Sequence, residues 1–296
     1  MRISYIDRKT AQKCVEKVYG GKVLSLLYGD GFFRRIFSVF FLPLLSRVPL
    51  FSHFYGYLQK RPSSARKIPP FIQAYRIDTS EFAEKTFSSF NEFFIRKLLP
   101  VARPIVTGSD RLAMPADGRY FVYPKFDRFF VKGQEFHLDT FLQDPVAARR
   151  YSEGAMTIIR LCPTDYHRFH FPCDGVASHP KLINGPLYSV NPIALRRNIS
   201  ILSENKRMIT YLESKVFGTI LYIEIGATSV GSIHQTFNPH GLVFKGQEKG
   251  YFEFGGSCIV LLFEKGRIEF DSDLIRNSEN GLETLAHFGE SLARRA

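Results

Sequence analysis

No stretch of this chain offers the roughly 20 uninterrupted apolar residues that a membrane span needs. The best candidate, the uncharged run after Arg34 and Arg35, is closed by Arg47 and carries Pro43 inside it. A kinked span over 36–59 would also have to hold Arg47, His53 and two prolines, so attachment to one membrane face is expected instead. Cysteine is scarce: Cys14, Cys162, Cys173 and Cys258 are scattered over 296 residues. The first 22 residues lack a signal-peptide apolar core and residues 292–296 form no hydrophobic tail. The thiols therefore read as reduced, in a cytoplasmic setting. There is no zinc-finger spacing, RNA-binding motif, internal repeat or low-complexity tract, and nucleic acid is not the expected partner.

Acidic residues are missing from one region above all. Residues 1–67 hold 13 Lys or Arg against three Asp or Glu, while the whole chain carries a net charge of +12. The rest is nearly neutral. The basic region is also rich in Leu and Phe, over 23–28 and 32–45. Basic residues beside long apolar ones suit helices lying in a membrane interface, where each Lys or Arg near an anionic surface contributes about 1 kcal/mol. Helices packing their apolar faces on a core are the alternative.

Residues 1–60 read as helices, and the Pro- and Ser-rich stretch 61–70 reads as a linker. The expected division is a basic amphipathic helical membrane-association region, 1–67, and a second domain, 68–296. Ser89 and Glu92 form a capping-box pattern for a short helix closed by Pro100. Strands are expected over 119–123, 155–161, 208–212, 219–225 and 258–263, several buried on both faces. Asp271 is placed to cap a last short helix. The fold class is α+β, with N-terminal membrane-associated helices followed by a mostly β domain.

Chemistry enters with Gly255-Gly256-Ser257-Cys258, which runs straight into the apolar 259–263. A serine opening a strand is poorly placed to attack an external substrate and well placed to attack its own backbone. Glycine tolerates φ > 0 and leaves the Gly256 carbonyl open. Addition of the Ser257 hydroxyl to that carbonyl converts the peptide to an ester. Elimination and hydrolysis then leave an N-terminal ketone, a pyruvoyl group. A histidine is the natural base for Ser257, and His167 and His170 stand three residues apart in 165–172. Asp117, in Pro-Ala-Asp-Gly, is the candidate carboxylate to orient an imidazole.

Met114-Pro115-Ala116-Asp117-Gly118, the segment 161–175 and the Gly-Gly-Ser together resemble the signatures of phosphatidylserine decarboxylases. The segments 89–98, 102–105, 187–192 and 226–233 resemble further blocks of that family, in the same order, so the likeness covers roughly residues 85–265. Cys258 departs from the Thr or Ser usual after the serine, but the reacting groups are Gly256 and Ser257. The resemblance implies a self-cleavage triad of Asp117, His170 and Ser257, with His167 acting in decarboxylation. It implies a proenzyme cut between Gly256 and Ser257 into chains 1–256 and 257–296 that stay associated, and a homodimer of such pairs. The covalent pyruvoyl group from Ser257 would form a Schiff base with phosphatidylserine and release CO2, giving phosphatidylethanolamine. No metal is expected. Localisation would be peripheral, on the cytoplasmic side of the cell membrane.

Three other readings stand beside this one. The order Asp…His…Ser is also that of subtilisin-type hydrolases, but no Gly-x-Ser-x-Gly surrounds Ser257 and the serine precedes a strand. His167, His170 and Cys173 have a spacing that can suit zinc, although Phe171 and Pro172 break any helix aligning them. The third is a non-enzymatic membrane-binding protein in which Gly255-Gly256-Ser257 is only a turn.

Overall fold

The computed structural model describes residues 3–17, 49–125, 130–131, 134–227, 232–255 and 257–296. The apolar segments 23–28 and 32–45, on which the membrane expectation rests, lie outside the described residues. So do Gly256 and 228–231.

Two strands, β1 (Ser4–Asp7) and β2 (Gln12–Val15), precede the helices α1 (Pro49–Lys60), α2 (Ile68–Tyr75) and α3 (Phe90–Phe94). Strands then dominate: β3 (Gly118–Tyr123), β4 (Ala155–Leu161), β5 (Arg168–His170), β6 (Gly175–Ala177) and β7 (Lys181–Ile183). They continue with β8 (Arg207–Ser214), β9 (Gly218–Gly226), β10 (Ile233–Gln235), β11 (Leu242–Val243), β12 (Glu248–Phe252), β13 (Ser257–Phe263) and β14 (Glu283–Ala286). One eleven-stranded sheet has the order β11-β6-β8-β9-β13-β4-β3-β14-β1-β2, with β7 also paired to β8. A second sheet has the order β10-β12-β5. A third joins Ile268–Phe270, Ser291–Arg295 and Arg111–Ala113.

Every residue of β13 and β4 is buried. Side chains alternate across a strand. Ile259, Leu261 and Phe263 join one core with Phe169, Phe171, Tyr120 and Tyr222. Cys258, Val260 and Leu262 join another, beneath helices Leu138–Leu142 and Pro145–Tyr151. The strands expected in 119–123, 155–161, 208–212, 219–225 and 258–263 all form, and the central ones are covered on both faces.

The first 17 residues depart from the helical expectation. β1 and β2 form a hairpin, and β1 runs parallel to β14 at the edge of the large sheet. The reason is electrostatic as well as apolar. Glu16, just beyond β2, pairs with buried Arg160 at 2.6 Å, and Arg160 also holds Glu283 of β14 at 2.7 Å. Breaking such a buried pair typically costs about 3–5 kcal/mol, because it strands a charge.

Residues 61–70 also differ from the linker expected there. Pro62–Lys67 is a 3-10 helix leading directly into α2. Proline at a first helical turn forfeits no hydrogen bond, so the prolines start helices here. Buried Ser64 accepts the Phe90 N–H at 2.8 Å and fastens this segment to α3. Ser89 caps α3 as expected, accepting from the Glu92 N–H at 3.1 Å. Glu92 reaches back to Ser88 in place of Ser89, and α3 stops at Ile95, well before Pro100. Asp271 precedes the last helix, Ser272–Glu279, but its carboxylate binds Arg8 and not the helix amides.

Candidate active site

Ser257 opens β13 in the middle of the large sheet, opposite Gly226 of β9 and Leu161 of β4. By alternation its side chain shares the face of Ile259 and Leu261. Ser257 is fully buried, and its Oγ has no hydrogen-bond partner among the described residues. Gly255, two residues earlier, has φ +148°, a conformation that disfavours any side chain. A buried hydroxyl without a partner costs about 1–3 kcal/mol, so this one calls for a functional reason.

The histidine segment is paired with the strand that precedes Ser257 in sequence. β5 lies antiparallel to β12, with Arg168 opposite Tyr251 and His170 opposite Glu248. The Phe252 N–H donates to the His167 carbonyl at 3.0 Å. β12 then leads through 253–256 into Ser257. On the other side, Leu161 sits opposite Ser257, and the chain beyond it turns through 162–166 to His167. The segment carrying both histidines thus follows β4, a neighbour of Ser257, and is hydrogen-bonded to β12, the strand that leads into it. Gly250 lets β12 pack closely on both neighbours, since a Cβ there would fall 2.0 Å from the His234 carbonyl oxygen of β10 and 2.9 Å from the Phe169 ring of β5.

His167 is wholly buried, with Nδ1 3.0 Å from the Asp165 carbonyl oxygen and its ring against Phe94 at 3.8 Å. Asp165 in turn is held by buried Arg119 and accepts from the Cys162 N–H at 2.7 Å. Arg96 donates to the Thr164 and Asp165 carbonyls at 3.3 and 3.4 Å from between the Phe82 and Phe93 rings. The Arg168 Nε donates to the Ile95 carbonyl at 2.9 Å. The histidine segment is therefore braced by the two residues after α3 and by α3 itself. At five residues it has no stability of its own, and it is held by the aromatic cluster of Phe71, Phe82, Phe90, Phe93 and Phe254. The Asn91 side chain also accepts from the Phe254 N–H at 3.0 Å, fixing the segment just before the Gly-Gly pair.

His170 is buried against the Phe288 ring, 3.7 Å between centroids and 10° from parallel. Burial pushes the pKa of both histidines down to about 3, although the Asp165 carboxylate opposes this at His167 and the Pro115 carbonyl at His170. Each imidazole is therefore neutral at ordinary pH. His167 Nε2 and His170 Nδ1 both lack hydrogen-bond partners among the described residues.

Asp117 is buried and bonded twice, to the Arg103 guanidinium at 2.7 Å and to the Phe288 N–H at 2.8 Å. It makes no hydrogen bond to His170 among those described, and Phe288 stands between the two. Sequence reasoning did not single out Phe288, Arg103, Arg96 or Phe94. Arg96, Phe94 and Arg103 lie in segments quoted for the family resemblance; Phe288 lies beyond them, with no local signal. Cys173, the third residue of the zinc alternative, is buried in the apolar core. Among the described residues no group of three or more His, Cys, Asp or Glu is placed to hold a metal ion.

The site thus holds a buried serine after paired glycines, with a segment bearing two neutral histidines hydrogen-bonded to the strand that precedes that serine. Comparison with known proteins gives the family. The phosphatidylserine decarboxylase family profile matches residues 90–294. A phosphatidylserine decarboxylase proenzyme from Chlamydia muridarum is 48% identical, covering 98% of this chain and 97% of its own. Proteins of the same name from Chlamydia pneumoniae and Chlamydia caviae are each 45% identical, covering 98% and 99% of this chain and 96% and 98% of their own. The chain belongs to the phosphatidylserine decarboxylase family, carboxy-lyases that form phosphatidylethanolamine with a pyruvoyl group made from a serine by self-cleavage.

Proposed function

We propose that this chain cleaves itself between Gly256 and Ser257, and that the resulting pair of chains, 1–256 and 257–296, decarboxylates phosphatidylserine at a membrane surface. One observation carries the residue assignment: Ser257 Oγ, His170 Nδ1 and His167 Nε2 are all buried and without a hydrogen-bond partner among the described residues, and the histidine segment pairs with the strand leading to Ser257.

His170 takes the Ser257 proton as Oγ adds to the Gly256 carbonyl. A buried imidazolium is costly on its own, as its low pKa records. The oxyanion formed in the same step offsets that cost, while Asp117, paired with Arg103, acts on His170 only through Phe288. Collapse of the adduct breaks the Gly256–Ser257 C–N bond and leaves an ester. Loss of the Ser257 α-proton then expels the Gly256 carboxylate. Hydrolysis of the remaining enamine releases ammonia and leaves the ketone.

The pyruvoyl group supplies an electron sink for the pair left on the substrate α-carbon when CO2 departs. The position of Ser257 suits that role, because a group there is shielded from bulk water on all sides. His167, held by Asp165 and Phe94, orients the substrate or, once protonated at Nε2 from water, delivers that proton to carbon. The β13 strand keeps 257–296 in place after cleavage, since all seven of its residues are buried between β9 and β4.

Among the described residues no helix is long and apolar enough to cross a membrane. Support for peripheral attachment comes from α1, which exposes Phe54 and Tyr57 at 58% and 59%. Lys60 at its end pairs with Glu253, three residues before Gly256, at 2.7 Å. An exposed aromatic face thus lies on the helix tied to Glu253, and we assign it to the cytoplasmic side of the cell membrane. A homodimer of cleaved pairs completes the proposal. The direct test is chain analysis of the purified protein. Wild type should give two chains and Ser257→Ala one, with phosphatidylethanolamine formed only by the former.

A further inference from the structure

Asp117 and His170 are two members of the proposed triad, yet they meet only through a third residue. Phe288 uses both of its parts. Its backbone N–H donates to Asp117 Oδ1 at 2.8 Å, and its ring lies flat on the His170 imidazole at 3.7 Å. The turn that carries Phe288 is itself pinned: the Gly289 N–H donates to the Met114 carbonyl at 3.0 Å and the Met114 N–H to the Glu290 carbonyl at 2.7 Å. Asp117, three residues after Met114, therefore belongs to the same rigid corner as Phe288. The other side of the corner is fixed by the His170 N–H, which donates to the Pro115 carbonyl at 2.8 Å.

We propose that Phe288 is a positioning residue for self-cleavage: its amide holds the Asp117 carboxylate while its ring sets the plane of His170 and keeps water off it. The inference rests on the reading that His170 is the base for Ser257. It also means that part of the cleaving apparatus lies downstream of the bond being cut, on the future short chain. A 90° change in the imidazole plane would redirect Nδ1; the Pro115 carbonyl also acts on the imidazole, and among the described ring contacts Phe288 is the closest and most nearly parallel. The next ring, Tyr166, is 5.8 Å away and tilted by 25°.

The charged groups around His170 come in pairs that largely cancel. Arg168 on its own strand binds Glu248 of β12 at 2.9 Å, Asp117 binds Arg103 at 2.7 Å, and His287 contacts Glu290 at 3.2 Å. Tyr166 is buried, which raises its pKa and keeps it neutral. Burial by Phe288 and its neighbours therefore sets the protonation of His170. Removing the ring while keeping an apolar side chain should admit water and let His170 titrate near the ordinary value.

The experiment follows chain cleavage over time in wild type, Phe288→Leu, Phe288→Tyr and His170→Ala, each at two pH values. Wild type and Phe288→Tyr should cleave at similar rates at both. Phe288→Leu should be slowed about tenfold at high pH, a modest part of what a general base contributes. Between about pH 8 and pH 5.5 it should lose about a further tenfold, the fraction of a histidine of pKa about 6.5 that becomes protonated. Phe288→Leu cleaving at the wild-type rate beside a blocked His170→Ala would overturn the role of Phe288 and leave the base assignment standing. Normal cleavage by His170→Ala would overturn the base assignment itself. A slowed Phe288→Leu with a pH profile as flat as wild type, or a Phe288→Tyr that fails equally, would show mere bracing and also overturn the proposal.

Discussion

The His167 carbonyl accepts the Phe252 N–H at 3.0 Å, so the segment bearing both histidines is hydrogen-bonded to the strand that runs toward the scissile peptide. Among the described residues the Ser257 Oγ, His167 Nε2 and His170 Nδ1 atoms have no hydrogen-bond partner. The backbone supplies the alignment and the side-chain atoms stay free to react.

The base and its distant carboxylate should be separable by degree. His170→Ala removes the proton acceptor and should slow cleavage by about 10²–10⁴-fold, the usual contribution of a general base. Asp117→Asn loses the charge but can keep an acceptor for the Phe288 N–H, so its effect should be smaller. Quantifying intact chain against time in both variants checks the order. A larger defect in Asp117→Asn would mean that Asp117 acts directly.

His167 should separate maturation from turnover. His167→Ala should cleave into two chains and carry a pyruvoyl group that a reducing agent traps, yet form no phosphatidylethanolamine. Mass spectrometry beside a lipid decarboxylation assay decides this. Loss of both steps would reduce His167 to a brace, and full activity would remove it from the site.

Protein stability should fall with pH before the carboxylates begin to titrate. Both histidines have folded pKa values depressed to about 3, so the unfolded chain binds more protons below its ordinary histidine pKa. Stability is thus fully present above about pH 6.5 and is lost progressively as pH falls toward the folded values. The loss is about 1.4 kcal/mol per pH unit for each histidine. Denaturant unfolding from pH 7.5 down to about 4.5 measures it, and His167→Ala should halve the slope that the two histidines contribute.

Membrane contact should follow the exposed face of α1. Phe54→Ser with Tyr57→Ser should weaken sedimentation with phosphatidylglycerol-containing vesicles, and added salt should weaken it further as charge is screened. Point changes are the proper test here, because deleting residues 1–60 would also strip β1 and β2 from the catalytic sheet. Unchanged sedimentation of the double variant would place the contact elsewhere.

The core of this architecture was legible because its signals are local. Continuous apolar runs such as 258–263 gave the central strands, and Ser89 announced α3. Other features depended on partners far along the chain. Glu16 draws the first hairpin into the sheet through Arg160 and Glu283, a link that no window around residue 16 reveals. The prolines of 61–70 read as breakers because their effect depends on position, and at a first turn they start helices. At the site, Ser257, His167 and His170 were visible as reactive types in sequence. Phe288 was not, since an aromatic residue near the C-terminus carries no signal until the fold lays it on an imidazole.

The most direct test of the whole account is an intact mass spectrum of the purified protein. Two masses are predicted, one for residues 1–256 and one for 257–296, the second lighter by one ammonia than a chain beginning with serine. Ser257→Ala should give a single uncut mass. A wild-type protein that forms phosphatidylethanolamine while remaining one intact chain, or whose short chain begins with a free amine, would contradict it.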